Sequence, residues 1–173
     1  MTITPGTKAH SNFIFVVRRE RSDGVEQARS ARELTADRFR AGTWPLNQHT
    51  KHQQDLEEGD SFVVYAAGGG DADRKHLIAM AEVAGSRFRS SRAQGNAGSW
   101  AASLRPPLFD VPIRHLQWFP QPVATVPIVE RLLFIRNKAN WKNYFQGAII
   151  RIADSDFSLI TELGLSQGLS NRT

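Results

Sequence analysis

The chain has 173 residues, 40% of them apolar, which suits one domain whose core needs no metal or disulfide. It has no cysteine, and that excludes disulfides, zinc–thiolate centres and thiol chemistry. Lys and Arg number 22 against 17 Asp and Glu, a net charge of +5, and 17 of the 22 are arginine, whose planar fork suits phosphate and stacks on flat rings. This balance permits a nucleic-acid partner and equally fits an ordinary arginine-rich soluble protein. With no basic-then-apolar leader and no apolar run of about 18 residues, a cytoplasmic location is the default expectation.

Residues 1–10 are polar and carry Pro5-Gly6, so they read as a loose arm before a domain over 11–165 and a tail over 166–173. Phe13–Val17 is a continuous apolar run, the mark of a strand buried on both faces. Gln27–Phe39 places Ala28, Ala31, Leu34 and Phe39 near helical spacing, with Gly42 as the stop. Gly42–Asn47 reads as irregular, because Pro45 removes an N–H and biases Trp44 toward extended geometry. Thr50–Glu58 reads as polar, with room for one short helix, closed by Gly59-Asp60. Ser61–Ala67 and His76–Gly85 read as strands flanking the Gly68–Asp71 turn.

Arg87–Pro107 is long, polar and rich in Ser, Gly and Arg, and loops of this length are often functional. Leu108–Phe119 alternates apolar and polar residues as a strand does, and Pro120–Pro127 reads as a connection. Arg131–Ile135 and Ala148–Ile152 read as two more strands, or as one strand and an extended segment. A last helix begins at Asp154 or Ser155 and runs to Gly164. The pattern describes a mixed α+β domain of five or six strands, with short helices around a curved or barrel-like sheet.

Catalytic signatures are sparse. The five histidines show no HExxH spacing, Gly68-Gly69-Gly70 lacks the Lys-Ser/Thr of a phosphate loop, and no GxSxG element occurs. His49, His52 and Asp55 are spaced for one helical face and could ligate a metal, although no fourth ligand is evident and a solvated face explains them as well. Neither a cofactor nor a catalytic residue is therefore assigned.

Binding signatures are stronger. Between Val83 and Trp118 lie Arg87, Arg89, Arg92, Arg105 and Arg114 against Asp110 alone, +4 of the chain's +5. Arginine and serine, interleaved here as Arg87–Arg92, are common donors to phosphate oxygens. Trp44 and Trp100 fall in irregular polar segments, where a tryptophan is either a loop anchor or a pocket wall. Trp118-Phe119 ends an alternating strand, and Trp141 beside Tyr144 reads as packing for a C-terminal loop.

Taken in order, Phe13–Val17, Trp44-Pro45-Leu46-Asn47, Leu56-x-x-Gly59-Asp60-x-Phe62-x-x-Tyr65, Ala79–Val83, Phe109-Asp110-Val111, Leu132-Leu133-Phe134 and Gly147–Ile152 resemble the EVE domain of the PUA-like superfamily, over roughly Ser11 to Leu163. Two features depart from the pattern: Arg18-Arg19-Glu20-Arg21 replaces a Lys-Ser-Glu-Pro-like strand end, and Leu46-Asn47 a fuller Arg-Asn pair. The resemblance implies a PUA-like pseudo-barrel that accepts one nucleotide flipped from the helix. Related YTH domains read methyladenine in RNA, and bacterial EVE proteins are associated with 5-methylcytosine or hydroxymethylcytosine in DNA. It further implies Trp44 as a pocket wall, Asn47 as a base-edge group, Tyr65 as a second wall or edge contact, and either Trp100 or Trp118 completing the cage. Arg18, Arg19, Lys51, Arg87, Arg89, Arg92 and Arg105 would take the flanking phosphates.

Three functions follow as expectations. The first is a non-enzymatic reader of double-stranded DNA containing a modified cytosine, 5-methylcytosine foremost. The second is an RNA-binding module of the same fold, and the third a metal-dependent nucleic-acid-processing enzyme using His49, His52 and Asp55.

Overall fold

The computed structural model describes residues 9–18, 29–47, 50–68, 72–90 and 109–166. The elements follow the order β1 (Asn12–Arg18), α1 (Ala31–Ala41), β2 (Thr43–Leu46), β3 (Ser61–Ala67), β4 (His76–Val83), β5 (Phe88–Arg89), β6 (Phe109–Ala124), β7 (Ile149–Ile152) and α2 (Asp154–Ser166). Two 3-10 turns, Val126–Arg131 and Trp141–Phe145, separate β6 from β7. The sheet runs β2-β6-β4-β3-β1-β7, with β5 added to β6.

β1 is apolar without interruption because both of its faces are covered. It pairs in parallel with β3, Phe13 opposite Phe62 and Arg18 opposite Ala67, and antiparallel with β7. Phe13, Phe15 and Val17 join Phe62, Val64, Trp44, Leu46, Val83 and Val111 in an inner core that α1 closes with Leu34 and Phe39. Ile14 and Val16 point the other way, into an outer core with Val63, Tyr65, Leu77 and Phe119, roofed by α2 and the chain between β6 and β7. The period-two alternation of a strand divides the two cores residue by residue.

α1 begins later than its apolar spacing suggests. Ser30 caps it: its Oγ accepts from Glu33 N–H at 3.1 Å while the Glu33 carboxylate accepts from Ser30 N–H at 2.7 Å. Gly42 ends it in the left-handed region (φ +66°), its N–H returning to the carbonyls of Arg38 and Phe39. Pro45, read as a sign of irregularity, instead sits in β2 at the sheet's edge, where a missing N–H costs no ladder bond. Thr50–Glu58 forms turns and no helix.

β6 runs past Phe119 to Ala124, through the prolines assigned above to a connection. It bends twice: His115 takes φ +53°, and the register with β4 slips around Ala81 and again around Ile78. These bulges curl the sheet, so that one strand pairs with β2 at its start and β4 at its end. Arg131–Ile135, expected as a strand or an extended segment, is the end of a 3-10 turn and the chain after it; the Asp156 carboxylate, accepting from Leu133 N–H (2.6 Å) and Phe134 N–H (2.9 Å), holds it off the sheet.

Candidate nucleic-acid interface

Three arginines sit over aromatic rings, and all three rings belong to the inner core or pack against it. Arg38 of α1 sits 4.4 Å over Trp44, Arg32 sits 5.0 Å over Trp118, and Arg87 sits 4.5 Å over Phe109. The guanidinium is drawn to the ring's negative face and is weakly enough hydrated to rest there. Arg32 also forks onto Asp73, with Nε 2.6 Å from Oδ2, which anchors α1 to the turn before β4. Arg87 donates to Gln53 Oε1 at 2.8 Å, tying β5 to the turns after β2.

Trp44 is a core ring. It is 3% exposed, edge-on to Phe15 (5.3 Å) and Phe62 (5.6 Å), with Arg38 on its remaining side. The expectation of an irregular loop carrying an open wall is thus corrected: β2 pairs Trp44 with Val111, and a strand position facing the core buries it. Tyr65 is corrected further. It stands on the opposite face of the sheet, stacked on Phe145 at 4.1 Å, and burial raises its phenol pKa to about 12. Trp44 and Tyr65 therefore do not line one cage. Trp118 is half-buried on the Trp44 face, 5.2 Å from Phe39, so of the two cage-completing tryptophans it is the one the structure describes.

Asn47 is exposed and starts a turn whose N–H is accepted by Thr50 Oγ1 at 3.2 Å. Leu46 beside it pairs with Phe109, and Phe109 pairs with Arg89, so Asn47, Arg87, Arg89 and Phe109 meet at one rim. Lys51 is exposed in the turns beyond. Arg18 is elsewhere: it ends β1 where β3 also ends, and donates to the carbonyls of Phe145 (3.0 Å) and Gln146 (2.6 Å). Arg19, Arg92, Trp100 and Arg105 lie outside the described residues, as does His49. His52 Nδ1 is 2.9 Å from Asp55 Oδ2 in the turns, and the described residues hold no group of three metal-ligating side chains.

The sequence count of charge also changes in three dimensions. Arg114, one of the five cations between Val83 and Trp118, donates to Glu82 (2.6 Å) and Glu58 (3.0 Å). His115 and Arg114 together hold the Glu82 carboxyl below its ordinary range. Arg32 and Arg38, which reach the tryptophans from α1, were absent from the expected site. Both fall within the helix predicted over Gln27–Phe39, but a spacing of six turns them about 120° apart around its axis, so sequence spacing alone does not pair them.

No protein-family model and no curated protein sequence matches the chain. Solved structures do match. Human THYN1 in complex with 5-methylcytosine-containing DNA aligns over 89% of this chain and 97% of its own, with a TM-score of 0.56 and 13% identity. The fold is that of the DUF55 domain. That PUA-like domain of human thymocyte nuclear protein 1 gives a TM-score of 0.58 at 11% identity, over 89% and 98% of the two chains. Protein Atu2648 from Agrobacterium tumefaciens aligns over 93% and 95%, with a TM-score of 0.55 and 15% identity. The pseudo-barrel expected from the order of motifs is therefore the observed fold, and at such identities the likeness speaks to the fold alone.

Proposed function

We propose that this domain binds double-stranded DNA and holds one modified cytosine, 5-methylcytosine foremost, turned out of the helix against the inner-core rim. The observation that carries the reading is the shared fold with a human domain solved on 5-methylcytosine DNA. The rim supports it. A guanidinium over a half-buried tryptophan occupies the space a flat base would take, so a base entering over Trp118 replaces Arg32 on the ring. Stacking of this kind contributes about 1–3 kcal/mol per base, comparable with the few kcal/mol of unstacking that flipping requires. A cytosine methyl group buried against the ring adds about 0.8 kcal/mol. Asn47, exposed beside the rim, supplies carboxamide donors and an acceptor for the base edge, while Lys51, Arg87 and Arg89 take the flanking phosphates. The reading is of a binding module with no catalytic step.

The test is a low-salt binding panel of plain, 5-methyl, 5-hydroxymethyl and N6-methyladenine duplexes with an RNA control. Wild type is expected to favour a cytosine-modified duplex. Asn47→Ala, at an exposed position, is expected to weaken that preference about tenfold while leaving salt-sensitive background binding in place. Equal affinity for all duplexes, or stronger binding of the RNA, would refute the reading. Trp118→Phe serves as the pocket variant, because it keeps a ring against Phe39.

A further inference from the structure

We infer a second nucleic-acid contact, for the sugar–phosphate backbone of DNA, on the roof of the outer core between Arg131 and Gln146. From Arg131 to Ala153 the chain has Arg131, Arg136, Lys138, Lys142 and Arg151 and no Asp or Glu, five positive charges in 23 residues. Arg131, Arg136 and Lys142 are exposed and make no ion pair with any described residue. Next in the chain to Arg136 and Lys142, a surface depression of about 330 Å³ is lined by Asn137, Asn140, Asn143 and Tyr144. The side-chain amides of Asn140 and Asn143 have no hydrogen-bond partner among the described residues, which leaves two donors and an acceptor on each. Carboxamides, a tyrosine and unpaired cations on one surface are the donor set that contacts phosphate and sugar.

The surface is preorganised, although its backbone is largely irregular. The Lys138 ammonium donates to the carbonyls of Val129 (3.0 Å) and Leu132 (2.6 Å), and Tyr144 Oη accepts from Asn137 N–H at 2.9 Å. Asp156 holds Leu133 and Phe134 from below, and Arg18 holds Phe145 and Gln146 from β1. Lys138 is thus a structural cation, and the three exposed ones are the contacts. The inference rests on the proposed reading only in taking nucleic acid as the ligand; it makes no use of the base pocket.

The probe is a plain duplex of about 20 base pairs, titrated across a salt series with the triple variant Arg131→Gln, Arg136→Gln, Lys142→Gln. Three lost phosphate contacts should lower the slope of log affinity against log salt by about 2.7, and weaken binding at least tenfold at low salt. Discrimination between methylated and plain duplex should stay as in wild type. Asn140→Asp, which puts a negative charge into the depression, should weaken both duplexes about equally, and thermal melting checks that each variant folds. Wild-type affinity and slope in the triple variant would overturn the inference, as would a wild type that binds no DNA at low salt. A wild type with no methyl preference, whose salt slope still falls in the triple variant, would instead count against the base pocket alone.

Discussion

The two faces of the sheet are both roofed, and the two roofs are built on different principles. The inner core is closed by α1, whose backbone bonds are internal and whose ends are completed by Ser30, Glu33 and Gly42. With its own polar groups satisfied, α1 can lay Arg32 and Arg38 down on Trp118 and Trp44. The outer core is closed by α2 together with Thr125–Gln146, a stretch of short 3-10 turns that cannot satisfy its own backbone. Side chains complete it: Lys138 from within, and Asp156 and Arg18 from outside, each bind two of its backbone groups. One roof turns cations inward onto rings, and the other uses single charges as tethers and leaves the remaining cations facing solvent. Charge counted along the chain therefore says little about charge available to a ligand.

The comparison is broken most severely by emptying the inner core. Trp44→Ala is expected to cost about 3–5 kcal/mol, since it removes a ring packed against Phe15 and Phe62 and strands Arg38. A denaturant titration reads this directly; a loss below about 1 kcal/mol would mean that Trp44 is a surface wall after all. Asp156→Ala attacks the other roof. It leaves the N–H groups of Leu133 and Phe134 without their charged acceptor and should cost about 2–4 kcal/mol. Hydrogen exchange should show the loss concentrated between Val126 and Gln146, with α1 protected as before. Uniform loss across both roofs would erase the distinction. Gly164→Ala is the milder probe: a Cβ there would lie 2.5 Å from the Phe119 ring, so α2 must shift at about 1–3 kcal/mol by thermal melting.

That glycine shows how far the sequence could be read. Gly164 looked like a helix stop, but α2 continues to Ser166 and the glycine serves the close approach to Phe119. β1, β3 and β4 were legible because strands buried on both faces show as apolar runs, and β7 because a short apolar stretch precedes the Asp154 helix start. Gly59-Asp60 was legible as a turn, and the structure supplies the reasons: φ +91° with the His10 ring against the glycine, and the Asp60 carboxylate accepting from Ser11 N–H and Glu57 N–H. β2 was missed because Pro45 signals a break everywhere except at a sheet edge. The outer roof was misread because its determinants are distant, Asp156 lying more than twenty residues beyond the backbone it holds. The site was half legible for the same reason. Asn47, Arg87 and Arg89 are brought to one rim, whereas strand parity, fixed only by pairing, sends Tyr65 to the other face.

Tyr65 gives the finest test of the two-face arrangement. Its phenol is raised to about 12 because burial beside Phe145 disfavours the anion, with Arg74 and Arg18 pulling more weakly the other way. A raised folded-state value means that the neutral form is favoured in the fold. The stability it protects is complete below pH 10, where the unfolded chain also keeps the proton, and is lost as pH rises from about 10 to about 12. Tyr65→Phe removes the ionisable oxygen and keeps the ring on Phe145, so the variant should lose less stability than wild type across that window. The difference in absorbance at 295 nm between the two proteins should report one phenol ionising only as the pH approaches 12. Because Tyr65 faces the outer core, Tyr65→Phe should leave the preference for methylated duplex unchanged. A variant that lost that preference would place Tyr65 in the base pocket and put the two faces of the sheet in contact with the same ligand.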